Sequence, residues 1–110
     1  MTVKELTTRE IAGIPVSVDE DGFLTDMTVW NEAIAEELAH EVGIEALTER
    51  HWVVINFSRA DFVERGDVPT LRRLKVAAGV PTKELYQLFP KKPAKKIAYV
   101  SGLGKPHGCI

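Results

Sequence analysis

Residues Thr48–Gly66, TERHWVVINFSRADFVERG, decide how the rest of the chain is read. Thr48 is an N-cap residue, and Trp52, Ile55, Phe57 and Phe62 follow along the helix it opens. Gly66 can end that helix in a left-handed conformation, and Pro69 can open the next one near its first turn. Upstream, Asn31 is a second cap with Glu32 favourable in the first turn. Ala33, Ile34, Ala35, Leu38 and Val42 make a helical stripe that Gly43 can stop. Downstream, Leu71, Leu74 and Val76 run to Gly79, a short helix is expected from Pro81 to Phe89, and another from Pro93 to Val100. Trp30, Tyr86 and Phe89 join Trp52, Phe57 and Phe62 as expected core aromatics.

The first third has a different period. Residues 1–10 are polar and read as a frayed end. Ile14, Val16 and Val18 alternate, as a half-buried strand requires, and Pro15 restricts that strand to an edge. The acidic, glycine-ended Asp19-Glu-Asp-Gly22 reads as the hairpin turn, with Phe23-Leu24 returning. The fold expected is mainly α with a small N-terminal β-hairpin, an α+β arrangement with about five helices in an orthogonal bundle. Residues 1–102 form the domain.

Beyond Gly102 the sequence Gly-Leu-Gly-Lys-Pro-His-Gly-Cys-Ile holds three glycines and a proline in nine residues, which cannot continue a helix. Residues 103–110 are therefore expected to form a mobile arm. A tail of about eight residues reaches about 25 Å, so Cys109 can enter another protein's active site while its own domain stays outside. The α-carboxylate of Ile110 opposes ionisation of the thiol, whereas Lys105 and His107 favour it. A persulfide suits such a site, because its outer sulfur is open to attack by a second thiolate. The competing reading is an incidental cysteine near a tolerant chain end.

Composition narrows the alternatives. The 110 residues are 45% apolar and 27% charged, which suits one ordinary domain. No run is long enough for a membrane span, and MTVKELTTREIAG has no signal-peptide core, so the cytoplasm is the expected compartment. One cysteine excludes an internal disulfide. With His40, His51 and His107 scattered, it makes no zinc-ligand pattern, so neither metal nor cofactor is expected. Residues 1–71 carry 5 Lys/Arg against 15 Asp/Glu, and residues 72–110 carry 9 against 1, a swing from −10 to +8. That asymmetry marks either internal pairing and solubility or a basic docking face in the last third.

The sequence resembles the DsrC/TusE family of sulfur-carrier proteins, related to the gamma subunit of dissimilatory sulfite reductase. The resemblance rests on Asp21-Gly22-Phe23-Leu24, Trp30-Asn31-Glu32, His51-Trp52, Phe57-x-Arg59, Pro69-x-x-Arg72, Tyr86-x-Leu-Phe-Pro90, Pro93-Ala94 and the Gly102–Ile110 ending. It implies a penultimate cysteine that accepts and hands on sulfur. It implies a sulfurtransferase as donor, and a tRNA-thiolating enzyme or sulfite-reductase-like complex as acceptor. It also places Arg59 and Arg72 beside the docked arm, against the terminal carboxylate or a sulfur anion, where the residues alone allow ordinary surface salt bridges. Lys105 is a partner-steering or simply solvated lysine, and His107 a candidate local base. His51 reads as a cap or packing residue. The chain departs from the family at Ala98, where the sulfite-reductase branch has a second cysteine, at Tyr99-Val100-Ser101, and at Gly104, where proline is usual. This is the single-cysteine variant.

Two other readings remain. One is a nucleic-acid-binding or sulfur-responsive regulator using a helix-turn-helix-like pair across Gly66–Pro69 and the basic C-terminal face. The other is a docking subunit for which Cys109 is dispensable.

Overall fold

The structure, a computed structural model, describes residues 7–104. Two antiparallel strands, β1 (Thr7–Ile11) and β2 (Ile14–Val18), precede five helices: α1 (Glu32–Glu41), α2 (Glu49–Arg65), α3 (Leu71–Ala77), α4 (Thr82–Leu88) and α5 (Pro93–Val100).

The hairpin is present, but its turn lies earlier than the sequence suggests. Ala12 and Gly13 both have positive φ (52° and 79°), the geometry of the two-residue turns that match strand twist. They bring Ile11 opposite Ile14, Arg9 opposite Val16 and Thr7 opposite Val18. Residues 7–10 are therefore strand and not part of a frayed end. The Asp19–Gly22 turn exists as well. The Asp19 carboxylate accepts from the backbone N–H of Asp21 (2.9 Å) and Phe23 (3.0 Å), yet the turn returns the chain for only one bridge, Val18 with Leu24. Glu10 faces Pro15, and in a two-stranded ribbon the missing N–H of Pro15 costs no inner ladder bond.

The helix starts follow the side-chain caps. Asn31 Oδ1 accepts from Ile34 N–H (2.9 Å), and Thr70 Oγ1 from Arg73 N–H (3.1 Å), so Thr70 caps α3 and Pro69 lies just outside it. Thr48 caps α2 in a reciprocal box with His51, and Gly66 ends α2 at φ +79°. The imidazole of His51 is committed to structure. Its Nδ1 accepts from Thr48 N–H (3.0 Å), which leaves the proton on Nε2 to be donated to Leu88 O (2.9 Å), and its ring sits edge-on against Phe89.

The short helix α5 is the hub. Pro93, Ala94, Ile97, Ala98 and Val100 are buried in it, and both α1 and α2 pack against it. The main core joins Ile11, Val16 and Val18 of the hairpin to Ile34 and Leu38 of α1, Val54 and Ile55 of α2, Leu74, Leu85, Phe89 and Ile97. A second cluster holds Phe23, Val68, Ala98 and Leu103. Three expected core positions face solvent instead. Ala33 lies outside the α1 stripe that Ile34, Ala35, Leu38 and Ala39 form. Val76 is 76% exposed, since seven-residue α3 buries only Leu74. Tyr86 is 51% exposed, since Leu85 and Phe89 take the inner face of α4. Trp30, Trp52, Phe57 and Phe62 are half-buried, and Phe89 is fully enclosed. No helix among the described residues is long and apolar enough to cross a membrane.

Candidate functional site

The C-terminal end of α5, where the glycine-rich segment begins, is held by a cap and by two side chains. Gly102 adopts φ +71°. Its N–H donates to Tyr99 O (3.2 Å), and Leu103 N–H reaches back to Ala98 O (3.0 Å), the paired bonds of a Schellman cap. Leu103 then inserts beside Ala98, Phe23 and Val68 and is buried. A hydrophobic peg therefore fixes the chain one residue before Gly104.

Two side chains lock this end in place. Trp30 Nε1–H donates to Val100 O (2.8 Å). Arg59, projecting from α2, donates to Ser101 O through Nη1 (2.8 Å) and to Met27 O through Nη2 (3.1 Å), while its guanidinium lies 4.0 Å from the centre of the Trp30 ring. Burial pulls the pKa of Arg59 down, and the guanidinium remains a cation. Arginine is needed here because one planar fork serves two carbonyls and stacks at the same time. Gly102 packs so closely on Trp30 that an added Cβ would lie 2.4 Å from Cδ1. Beside this end, a cavity of about 330 Å³ is lined by Asp19, Leu24, Thr25, Met27, Phe62 and residues 102–104. The hydroxyls of Ser58 and Ser101 are buried nearby in sequence, without a hydrogen-bond partner among the described residues.

The expected site residues divide. Arg59 is at this helix end and contacts it directly. Arg72 is on exposed α3, on the wall of a separate cavity of about 450 Å³ with Arg65, Val68 and Pro69, and makes no hydrogen bond to a described residue. Its neighbour Arg73 takes the pairing role, clasping buried Asp61 with Nε (2.9 and 3.0 Å) and Nη2 (2.6 Å). The guanidinium of Arg73 holds the Asp61 carboxyl below the usual carboxylate range. Cys109, Lys105 and His107 lie outside the described residues.

A second polar cluster was not legible beforehand. Tyr99 of α5 donates its phenol proton to Glu41 Oε1 of α1 (2.6 Å), and Arg9 of β1 grips the same carboxylate and approaches the phenol oxygen. Burial, then the hydrogen bond and charge of Glu41, push the Tyr99 phenol up to about 12. Arg9 and Tyr99 together outweigh burial and hold Glu41 below its ordinary value. Partners 32, 58 and 90 residues apart leave no local spacing that announces them. No group of three or more metal-ligating side chains occurs among the described residues.

Comparison with known proteins places this architecture. Residues 10–110 match the protein family described as DsrC like protein. The sulfurtransferase TusE of Pectobacterium atrosepticum is 42% identical over 108 residues, spanning 92% of this chain and 98% of that protein. The NMR structure of Allochromatium vinosum DsrC superimposes with a TM-score of 0.82 at 36% identity, over 96% of this chain and 100% of that one. The solution structure of the Pyrobaculum aerophilum DsrC/gamma subunit of dissimilatory sulfite reductase gives 0.80 at 35% identity, over the full length of both chains.

Proposed function

The chain belongs to the DsrC-like family, and from that premise we propose that it is a sulfur-relay protein carrying persulfide sulfur on Cys109. The single observation that carries the reading is the juxtaposition of a rigidly fixed helix end with a glycine-rich segment that ends in the only thiol of the chain. Leu103 is the buried anchor of this end, and the six residues that follow Gly104 in the sequence carry the thiol at their second-last position; a stretch of that length can span at most about 20 Å.

The chemistry needs no cofactor. The Cys109 thiolate attacks the outer sulfur of a donor persulfide. A sulfur–sulfur bond forms at Cys109 as the donor's own breaks, and the donor leaves as a thiolate. An acceptor thiolate then attacks the outer sulfur now on Cys109, and Cys109 leaves as the thiolate. Neither step has net oxidation. Lys105 and His107 favour the thiolate at the arm's tip. Arg59 acts as a positioning residue at the arm's base, and Arg72, which makes no hydrogen bond to a described residue, is the cation proposed for the terminal carboxylate. The donor is a sulfurtransferase. The acceptor is a tRNA-thiolating enzyme or a sulfite-reductase-like complex, with the cytoplasm as the compartment. With Ala98 buried where a second cysteine would stand, sulfur leaves by transfer to a partner's thiol and not by an internal disulfide.

The test is transfer. Chain loaded with isotopically heavy outer sulfur is mixed with an acceptor protein thiol and followed by mass. The label should leave Cys109 and appear on the acceptor in equal amount. Label that stays on the chain, or transfer that survives Cys109→Ser, would refute the reading.

A further inference from the structure

The opposite end of α5 carries a feature that sulfur chemistry does not use. Lys91, Lys92, Lys95 and Lys96 line a groove of about 500 Å³ together with the carboxylates of Asp21 and Glu41 and the apolar surface of Phe23, Val42 and Tyr99. Lys91, Lys92 and Lys95 are exposed, whereas Lys96 turns back to donate to Pro90 O.

The arrangement works against the fold in three ways. Lys91 and Lys92 both have left-handed backbone (φ 59° and 51°), a conformation that non-glycine residues adopt only under constraint. Lys92 is the N-cap of α5, and Lys95 and Lys96 stand in its first turn with no acidic residue among them, so cations crowd the positive end of the helix dipole. The lysines also repel one another across a few residues. None of this assists packing, and the two electrostatic terms, cations at the positive end of the dipole and lysine–lysine repulsion, are relieved when an anion enters the groove.

We propose that this groove docks an acidic segment of a partner protein bearing one apolar side chain. The apolar surface takes that side chain, and the lysines take the flanking carboxylates. Asp21 and Glu41 in the same lining disfavour an unbroken row of phosphates, which separates a peptide from a nucleic-acid strand. Position adds a reason. The groove starts at the N-terminal lysines of α5 and runs to Tyr99 and Phe23, which pack in the same cluster as Leu103, so it lies within the roughly 12 Å length of one helix from the arm's base. That distance is shorter than the roughly 20 Å that the six residues after Gly104 can span, so a partner held at the groove is close enough to meet Cys109. This inference rests on the carrier reading for its purpose but is tested apart from it.

The probe is a fluorescein-labelled twelve-residue peptide of Asp and Glu with one central Leu, titrated into the full chain at low salt. Amide shifts in a ¹⁵N spectrum should cluster at residues 21–23, 41–42 and 91–99. Binding should weaken at least tenfold in K91E/K92E/K95E, weaken severalfold when the Leu becomes Gly, and fall with added salt. The same triple variant should melt no lower than the parent, because the substitutions relieve the helix end. Equal binding by parent and variant, shifts mapping elsewhere, or a single-stranded RNA twelve-mer displacing the peptide at lower concentration would overturn the proposal. If the variant fails to fold, the shift map on the parent decides. Loading of Cys109 by inorganic polysulfide is measured on the same samples. Normal loading with failed docking removes the groove alone, and failed loading of the parent removes the carrier reading whatever the peptide does.

Discussion

Replacing Gly102 by alanine should cost about 3 kcal/mol. A left-handed alanine at φ +71° costs about 1 kcal/mol by itself. The new Cβ would stand 2.4 Å from Trp30 Cδ1 and 2.8 Å from Cγ, so the indole must withdraw by about 1 Å. Withdrawal breaks the 2.8 Å bond from Trp30 Nε1 to Val100 O and uncovers the Arg59 stack, adding about 2 kcal/mol. Across 110 residues the unfolding entropy is about 0.23 kcal/mol/K, so Tm should fall by roughly 13 °C. The assay is urea and thermal denaturation with tryptophan fluorescence, where the emission of Trp30 should shift red as it leaves its packed position. Gly104→Ala is the control. An alanine there meets nothing within 4 Å and should change stability by less than about 0.5 kcal/mol. A Gly102→Ala variant within about 0.5 kcal/mol of the parent, with an unchanged spectrum, would refute the account of how the arm's base is fixed.

Arg59→Ala removes the donors of two part-buried bonds, to Ser101 O and Met27 O, and should cost about 2 kcal/mol by urea midpoint; Arg59→Lys should recover only part, and a loss below about 0.5 kcal/mol would contradict the positioning role. Ser58→Ala deletes a buried hydroxyl that has no hydrogen-bond partner among the described residues, so stability should hold or rise by up to about 1 kcal/mol, and a clear loss by urea midpoint would contradict that reading. In Tyr86→Phe, Tyr99 is the only tyrosine left, and its absorbance should titrate near 12. Because the folded pKa stands above the unfolded value of 10.0, the stability from this phenol is whole below pH 10 and is lost as pH rises towards 12, a loss that Tyr99→Phe should abolish. A titration midpoint near 10 would refute the Tyr99–Glu41 contact.

The parts of the fold legible in the sequence are those with local causes. Asn31, Thr48 and Gly66 mark helix ends because cap chemistry acts over three or four residues, and Pro93 marks the start of α5 for the same reason. The partner of β2 was misplaced because Thr7–Glu10 bury no side chain and show no alternation, and because an alanine at positive φ gives no turn signal. Arg72 was singled out by the resemblance, while the cap at Thr70 turns Arg73 towards Asp61. A motif fixes spacing along the chain, but the helix phase decides which arginine faces inward. The Arg9–Glu41–Tyr99 cluster and the lysine groove are assembled from distant segments, and in the groove a left-handed pair of lysines aims the charges. Arg59 is expected beside the terminal carboxylate or a sulfur anion, which lie outside the described residues; what it grips among the described ones is the backbone carbonyl oxygen of Ser101 and Met27 and the indole face of Trp30.

The central claim is that Cys109 is the atom on which sulfur rides. Intact-mass measurement of the chain after incubation with a persulfide donor addresses it most directly. The account predicts a single gain of about 32 Da, reversed by a reducing thiol and absent from Cys109→Ser. No gain in the parent chain, or the same gain in the serine variant, would contradict it.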